Sequence, residues 1–429
     1  MRTSQKSSRN STAGSYLDLP WWYRPSAFLL GASLPALLIF SYSDSRLTLS
    51  GAQLFYAERD MIFGIIAILI LVAGALIGES GLFNRRNQNR LSQPAPHRLA
   101  ESLLSERVDW GIMAIFVVAH LIFFRGFFTN PGLIAGVLGG NLELKHTFKT
   151  IPGVTTWTQV SLLLGGLRGL RWAGILPGKI KLLSWFHLVF FGTLFVRAVL
   201  WSERLALIEG IVPFFLCALP KLIRLLGPRG KLFFQFFPLL VPVLLLLVFT
   251  AFEFLRSWQT QAAGHGNIFE FGWRRLFTYY FEAMNTGAAT LGVSGFYDAL
   301  TMPISETAYD SIYDGLYQGS LDKEFNNPSG IWYFATYSGN ALFAPLFFSL
   351  GVFYGVSWRA FREGRLFGLF LPINFLGMME ILRIHYWIGT NRVVPSTLLL
   401  LILLAWALTI PSRVRIHRKM PKGQSLANA

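Results

Sequence analysis

Apolar runs long enough to cross a lipid bilayer recur along this chain, and they constrain its fold more than any other feature. A helix needs about 20 mostly apolar residues to cross a hydrocarbon core of about 30 Å. Only 14% of the 429 residues are charged, against about 25% in soluble domains. We therefore predict an all-α polytopic membrane protein with about 10 transmembrane helices. The predicted spans are residues 27–42, 61–78, 108–125, 154–170, 182–200, 205–226, 232–255, 331–357, 366–387 and 393–410.

The distribution of basic residues sets the predicted topology. The net charge is +16, and most Lys and Arg residues fall in segments that an even number of spans places on one side. Cytoplasmic loops carry such an excess, so both termini are predicted to be cytoplasmic and the charge requires no nucleic-acid partner. The predicted segments are a cytoplasmic leader (1–26), helices 1–7 (27–255), a large periplasmic loop (256–330), helices 8–10 (331–410) and a basic cytoplasmic tail (411–429).

The periplasmic loop is the largest segment outside the predicted spans. Its first part, Phe269 to Met284, mixes aromatic residues with Arg274 and Arg275. A helix of this composition is predicted to lie in the membrane interface with its aromatic side chains among the headgroups. The second part, residues 297–327, is rich in Asp, Gly, Ser and Tyr and predicts an ordered external loop. No sizeable soluble domain is predicted.

Several arginines depart from the cytoplasmic bias and lie at outer helix ends or in the outer loop. An arginine within the membrane costs about 2.5–3.5 kcal/mol, so such residues usually face the protein interior and have a partner. Arginine suits phosphate because its planar fork binds two oxygens at once. We interpret the set as a pyrophosphate clamp; for each member alone, snorkelling or a structural ion pair with a glutamate is the alternative. The members are Arg197, Arg204, Arg274, Arg275, Arg383 and Arg392.

Acidic residues and one histidine near these arginines are candidates for a general base. Glu203 adjoins Arg204, Glu324 lies just before the eighth span, and His385 lies in the last outer turn. Each of these side chains can take the proton from an attacking hydroxyl. Ordinary loop solvation is the alternative for the acids, and a structural role is the alternative for the histidine. The remaining candidate substrate-binding residues are Tyr279, Asn326 and Tyr386.

Several chemistries have no motif in this sequence. There is no Walker loop, so ATP-driven transport within this chain is not predicted. The sequence has no HExxH motif and a single cysteine, Cys217, so no metal and no cofactor are predicted. The acids within the predicted spans are few, Glu209 and Glu380, and this disfavours a proton-coupled transporter.

Three stretches carry a resemblance to a known family. They are FVRAVLWSERLALIE at 195–209, GWRRLFTYY at 272–280 and FNNPSG at 325–330, the last leading into an aromatic span. Together with the hydropathy and the placement of the largest outer loop, they resemble the Wzy-type oligosaccharide repeat-unit polymerases. That family is related to the O-antigen ligases, and both have a GT-C-like membrane fold.

The resemblance implies a metal-independent transfer of a glycan from a polyprenyl diphosphate to another lipid-linked saccharide, on the outer face of the bacterial inner membrane. It places Arg204, Arg274, Arg275, Arg383 and Arg392 at outer-face positions where such enzymes keep arginines. The ligase branch is expected to have a functional histidine in its large outer loop. Here His265 stands in a linker-like AGHGN sequence, and this departure favours the polymerase.

The leading hypothesis is therefore a glycosyltransferase that polymerises the repeat units of an O-antigen or exopolysaccharide. The arginines hold the diphosphate, and an acid activates the acceptor hydroxyl. The expected partners are polyprenyl-diphosphate-linked oligosaccharides and the lipid bilayer, with a chain-length regulator and a flippase as further candidates. The alternatives are an O-antigen ligase, a transporter or flippase for a lipid-linked oligosaccharide, and a polyprenyl-phosphate-dependent sugar transferase. A transporter would tend to show an internal repeat, and the sequence shows none.

Overall fold

The computed structural model describes residues 19–42, 52–81, 105–138, 151, 153–176, 181–182, 184–200, 204–254, 267–322 and 324–409. These residues form helices and turns and no strand, which confirms the all-α prediction for them. In chain order the principal helices are α1 (Pro25–Ser41), α2 (Glu58–Ser80), α3 (Glu106–Phe123), α4 (Ser161–Trp172), α5 (Trp185–Leu200), α6 (Arg204–Glu253), α7 (Ile268–Val293), α8 (Glu306–Gly319), α9 (Gly330–Arg362), α10 (Leu366–Met379) and α11 (Val394–Thr409).

Three of these helices, α2, α6 and α9, are long and apolar enough to cross a membrane. Helices α1, α5, α10 and α11 are apolar but shorter. Each predicted span overlaps a helix, and the largest differences occur at two places. The two predicted spans 205–226 and 232–255 fall in the single helical run α6, and the predicted span 366–387 is helical only as far as Met379.

Helix α6 consists of two antiparallel arms that meet at Gly227. This residue has φ 60° and ψ −146°, a conformation that glycine adopts without a Cβ clash. Across the turn, the rings of Phe215 and Phe237 lie 5.2 Å apart. At the far end, Arg204 pairs with Glu253 at 2.9 Å. The arms of α6, before and after Gly227, are therefore the two predicted spans.

Two aromatic residues just before α1 form hydrogen bonds with both arms of α6. They donate to backbone carbonyls that accept no hydrogen bond within the helix, because a proline stands four residues further along. The indole Nε1 of Trp22 donates to the Phe234 carbonyl at 2.7 Å. In a regular helix that carbonyl would accept from the residue four positions on, which here is Pro238 and has no N–H. Tyr23 donates from its hydroxyl to the Leu216 carbonyl at 3.3 Å, which a proline leaves open in the same way. Trp22 and Tyr23 thus supply hydrogen bonds that α6 itself lacks.

Helices α2 and α9 pack backbone to backbone through two G-x-x-x-G motifs. Gly74 and Gly78 on α2 face Gly351 and Gly355 on α9. A Cβ on any of the four would overlap a carbonyl oxygen of the other helix. Small residues at this spacing allow membrane helices to approach closely, so that dispersion contacts stabilise the pair. This crossing forms the tightest helix contact in the described chain and fixes the start of α9 beneath α7.

Helix α7 passes the ends of several other helices in succession. A Cβ on Gly272 would overlap a side chain near the end of the second arm of α6. Further along α7, the Tyr280 ring stacks on Phe40 near the end of α1, with centroids 4.8 Å apart. Beyond that, the Asn285 side chain accepts the Phe55 amide just before α2, at 2.7 Å. These contacts show that α7 runs past several helix ends, which the predicted topology places on the outer side of the membrane.

The interfacial-helix prediction is therefore right about the helix and wrong about two of its aromatic residues. Phe269 and Trp273 are exposed, as expected for headgroup contacts, but Phe277 and Phe281 are buried. The reason is that other segments cover α7 at these positions: the Phe277 ring lies 5.2 Å from that of Phe40 in α1, and the Phe281 ring lies 6.3 Å from that of Tyr56 just before α2. These two side chains therefore contact other parts of the protein and not lipid headgroups.

Candidate functional site

The most unusual stretch of backbone is the irregular segment between α10 and α11, residues 380–393. Its residues Ile384, His385 and Tyr386 are buried although the segment is not helical. Local bonds satisfy its backbone: the Ile388 amide donates to Nδ1 of His385 at 3.0 Å, and the Thr390 hydroxyl donates to the His385 carbonyl at 2.7 Å. Irregular backbone within a membrane bundle is tolerated where it is buried in protein or lines a cavity. This buried, irregular segment is therefore a candidate for the functional site.

Arg383, in this segment, has hydrogen-bonding capacity left over. Its Nε donates to Oε2 of Glu380 at 2.6 Å. Its guanidinium lies 5.7 Å from the centre of the Tyr279 ring. Neither terminal nitrogen, Nη1 or Nη2, has a hydrogen-bond partner among the residues that the structure describes. Two charged donors therefore remain for a ligand.

A second set of charges joins the two arms of α6 to α7. Glu253 forms ion pairs with Arg204 at 2.9 Å and with Nε of Arg275 at 2.7 Å, and its side chain is fully buried. Arg275 also pairs with Glu324, which follows α8. The guanidinium of Arg204 lies 5.3 Å from the centre of the Tyr279 ring. Arg204 and Arg383 therefore both contact Tyr279, each through its cationic group.

A third ion pair connects the first arm of α6 with the end of the irregular segment. Arg392 donates from Nη1 to Oε1 of Glu209 at 2.8 Å. Tyr386 is buried nearby, within the electrostatic reach of this pair and of Glu380 and Arg383. Together the three sets contain as many arginines as glutamates, so the site is balanced in charge. We refer to them as the outer ion-pair cluster: Arg204, Glu209, Glu253, Arg275, Glu324, Glu380, Arg383 and Arg392.

The structure brings together a large part of the predicted site. Arg204, Arg275, Glu324, Arg383 and Arg392 all belong to the outer ion-pair cluster, with Tyr279 at its centre and Tyr386 at its edge. The backbone carbonyl of Asn326 accepts from the Tyr313 hydroxyl at 2.9 Å, which ties the residue to α8. The predicted bases Glu203 and, for the ligase alternative, His265 lie outside the described residues.

Two predicted arginines lie elsewhere. Arg197 is buried and donates to the Thr158 hydroxyl at 2.7 Å, with its guanidinium 4.7 Å from the Phe123 ring centre. Arg274 pairs with Glu270, one helical turn away on α7, at 2.9 Å and remains partly exposed. Adjacent helix positions point about 100° apart, so Arg274 cannot follow Arg275 into the cluster.

His385 occupies the right segment, but its environment argues against a proton-transfer role. Its ring stacks on Phe334 with centroids 5.1 Å apart, and Nδ1 accepts the Ile388 amide. The residue is only 4% exposed, and its imidazole acts as a structural acceptor within its own turn.

Sequence reasoning did not propose Glu253 and Glu380 as site residues. Each had a usable signal: Glu253 is an acid near the end of an otherwise apolar span, and Glu380 is an acid inside one. An ionisable residue within a predicted membrane span indicates a paired or functional group. Among the described residues, no three His, Cys, Asp or Glu side chains come together to hold a metal ion.

Comparison with protein-family models, curated proteins and solved structures finds no match for this chain.

Proposed function

We propose that this chain is a glycosyltransferase of the bacterial inner membrane that polymerises polyprenyl-diphosphate-linked oligosaccharide repeat units on the outer face. The proposal includes a GT-C-like arrangement of about 10 membrane spans with both termini in the cytoplasm. The three helices of membrane-spanning length and the shorter apolar helices support the membrane part. The chemistry rests on the outer ion-pair cluster.

One observation carries the proposal: Arg383 has two terminal nitrogens without a partner among the described residues, beside Arg204 and Tyr279. Its side chain is 17% exposed, so a ligand can reach it. A planar cationic fork with free donors suits a diphosphate oxygen. In this proposal Arg383 binds the diphosphate and stabilises the negative charge that grows on it when the glycosidic bond breaks.

The glutamates of the cluster have a supporting role in this proposal. Glu253 fixes Arg204 and Arg275 in place, and Glu209 fixes Arg392. Donors held in position before the substrate arrives need little reorganisation during the reaction, and this is what makes electrostatic stabilisation effective. Because the cluster is balanced in charge, affinity for the diphosphate comes from the free donors of Arg383 more than from a general excess of positive charge.

Deleting the gene in the source organism, followed by electrophoretic and mass profiling of its lipid-linked and surface glycans, tests the proposal. We expect the long polymer to be replaced by single repeat units, and a plasmid copy of the gene to restore it. Intact polymer that stays on its lipid carrier would overturn the polymerase in favour of a ligase. Unchanged glycans would overturn both.

A further inference from the structure

The four glutamates of the outer ion-pair cluster differ in how far a substrate can reach them. The side chain of Glu253 is fully buried and that of Glu209 is 1% exposed, whereas Glu380 and Glu324 are 10% and 35% exposed. A general base must come within hydrogen-bond distance of the proton that it removes. Only Glu380 and Glu324 meet this condition among the four.

Hydrogen bonding separates these two carboxylates. Both oxygens of Glu324 face the Arg275 guanidinium, one on each terminal nitrogen. Such a two-point pair occupies both oxygens of the carboxylate. In Glu380, Arg383 contacts only Oε2. Among the described residues, Oε1 contacts only the Tyr280 hydroxyl, which donates to it at 3.4 Å. Within the described part of the chain, Glu380 therefore has one oxygen held and the other available.

A buried hydroxyl without a partner belongs to the same irregular segment as Glu380. The Tyr386 hydroxyl has no hydrogen-bond partner among the described residues, and the residue is only 2% exposed. A buried polar group left unpaired calls for a ligand or water. The charges of Glu209, Glu380 and Arg383 act on Tyr386. The segment that holds Glu380 thus offers a second hydrogen-bonding group to an incoming hydroxyl.

We propose that Glu380 is the general base that activates the acceptor sugar hydroxyl, with Tyr386 and Tyr280 orienting that hydroxyl. This rests on the proposed function. The hydroxyl O–H bond breaks as its oxygen forms a bond to the anomeric carbon of the donor. The bond from that carbon to the diphosphate oxygen breaks, and the diphosphate leaves with the electron pair towards Arg383. Glu380 takes the proton and later releases it to water.

The test is Glu380→Gln in the full-length protein, assayed in detergent with a purified lipid-linked repeat unit. Glutamine keeps the shape and can still accept from Arg383 but cannot take a proton. We expect kcat to fall at least about 100-fold, while KM for the donor changes by less than about threefold. Glu363→Gln is the matched control, since Glu363 pairs with Arg359 and Arg365 on the predicted cytoplasmic side. The control should retain the wild-type rate.

A pH profile separates a base from a residue that merely positions Arg383. The charged and titratable groups around Glu380 are Arg383 in its own turn, Tyr280 on α7, and Tyr386 with the Glu209–Arg392 pair. Of these only the two tyrosines and the carboxylates titrate, and the tyrosines do so in the alkaline range. We expect the acidic limb of kcat/KM to be present in the wild type and absent from the residual rate of Glu380→Gln.

The possible outcomes distinguish a failure of this inference from a failure of the proposed function. A wild-type protein that extends the repeat unit, together with a Glu380→Gln variant that does so at a similar rate, would overturn Glu380 as the base and leave the polymerase intact. A variant whose loss lies entirely in donor KM, with an unchanged acidic limb, would make Glu380 a positioning residue and also overturn the inference. If the wild-type protein extends no lipid-linked glycan, the proposed function itself is overturned.

Discussion

The chain contains two buried clusters of arginine and carboxylate, at opposite ends of its bundle, and they differ in one decisive respect. The inner ion-pair cluster consists of Asp109 on α3 with Arg168 and Arg171 on α4. Arg171 donates to Asp109 from Nε at 2.5 Å and from Nη2 at 3.0 Å, and Arg168 donates from Nη1 at 3.2 Å. All three side chains are at most 2% exposed.

The outer ion-pair cluster has similar components but a different environment. Arg204, Arg383 and Arg392 are 13–17% exposed, and Arg383 has donors to spare. In the inner cluster, by contrast, the Arg168 guanidinium also lies 3.8 Å from the Phe186 ring centre, so α5 closes the site on the remaining side. Burial without access indicates a structural role, whereas partial exposure with free donors indicates a binding role. The residue types alone do not distinguish the two.

The largest expected effect is on the inner cluster. Asp109→Asn removes the charge that compensates two buried guanidinium groups, and breaking a buried ion pair in this way costs about 3–5 kcal/mol. We expect the variant to lose that much unfolding free energy, or to fail to accumulate in the membrane. Thermal unfolding of the purified protein in detergent, together with its abundance, measures the change.

A triple variant makes that prediction specific. Replacing Asp109, Arg168 and Arg171 together by apolar residues of similar volume should restore much of the lost stability, because an ion pair can often be exchanged for apolar packing. If Asp109→Asn alone unfolds at the wild-type temperature, the inner cluster does not hold α3 to α4, and the contrast with the outer cluster has no basis.

The outer cluster should respond in the opposite way, with function lost and the fold kept. Arg383→Ala removes the free donors and should lower kcat/KM for polymer extension about 100-fold, equivalent to about 2.7 kcal/mol of transition-state stabilisation. Stability should change by less than about 1.5 kcal/mol, since the site is partly solvated. Extension of a lipid-linked repeat unit and thermal unfolding are measured on the same preparation. Long polymer made at the wild-type rate would refute the diphosphate-binding role.

Much of the fold was predictable from the sequence because apolar runs are an effect of local composition. Each predicted span overlaps a helix, and the reversal at Gly227 between the arms of α6 coincides with the predicted basic loop. Hydropathy alone missed the early end of α10 at Met379, since Ile381, Leu382 and Ile384 keep the segment apolar on average although Glu380 and Arg383 interrupt it. The backbone beyond Met379 lies against the start of α9, where a Cβ on Gly330 would overlap the Ile381 and Ile384 carbonyls.

The site was predictable as a set of residue types but not as a set of partners. The bias of charge identified Arg204, Arg275 and Arg383, because a cation on the wrong side of the membrane is anomalous in the sequence itself. Which acid pairs with which arginine depends on helices far apart in the chain: Glu209 is five residues from Arg204 in the sequence but pairs with Arg392. Such pairing follows from packing and leaves no local signal.

The smallest expected effect comes from Arg274, next to Arg275 in the sequence and part of the same predicted clamp. Arg274 pairs on the surface with Glu270, and both side chains are more than a third exposed, where an ion pair contributes about 0.3–0.5 kcal/mol. Arg274→Ala should therefore alter stability by less than about 0.5 kcal/mol. It should leave polymer extension within about twofold of wild type. Arg275→Ala, which removes one of the two cationic partners of the buried Glu253 and leaves Arg204, should cost about 1–3 kcal/mol. Parallel unfolding and extension assays of the two variants measure the contrast. Equal losses would mean that both arginines bind substrate directly, and would contradict the placement of Arg274 on the surface and of Arg275 in the cluster.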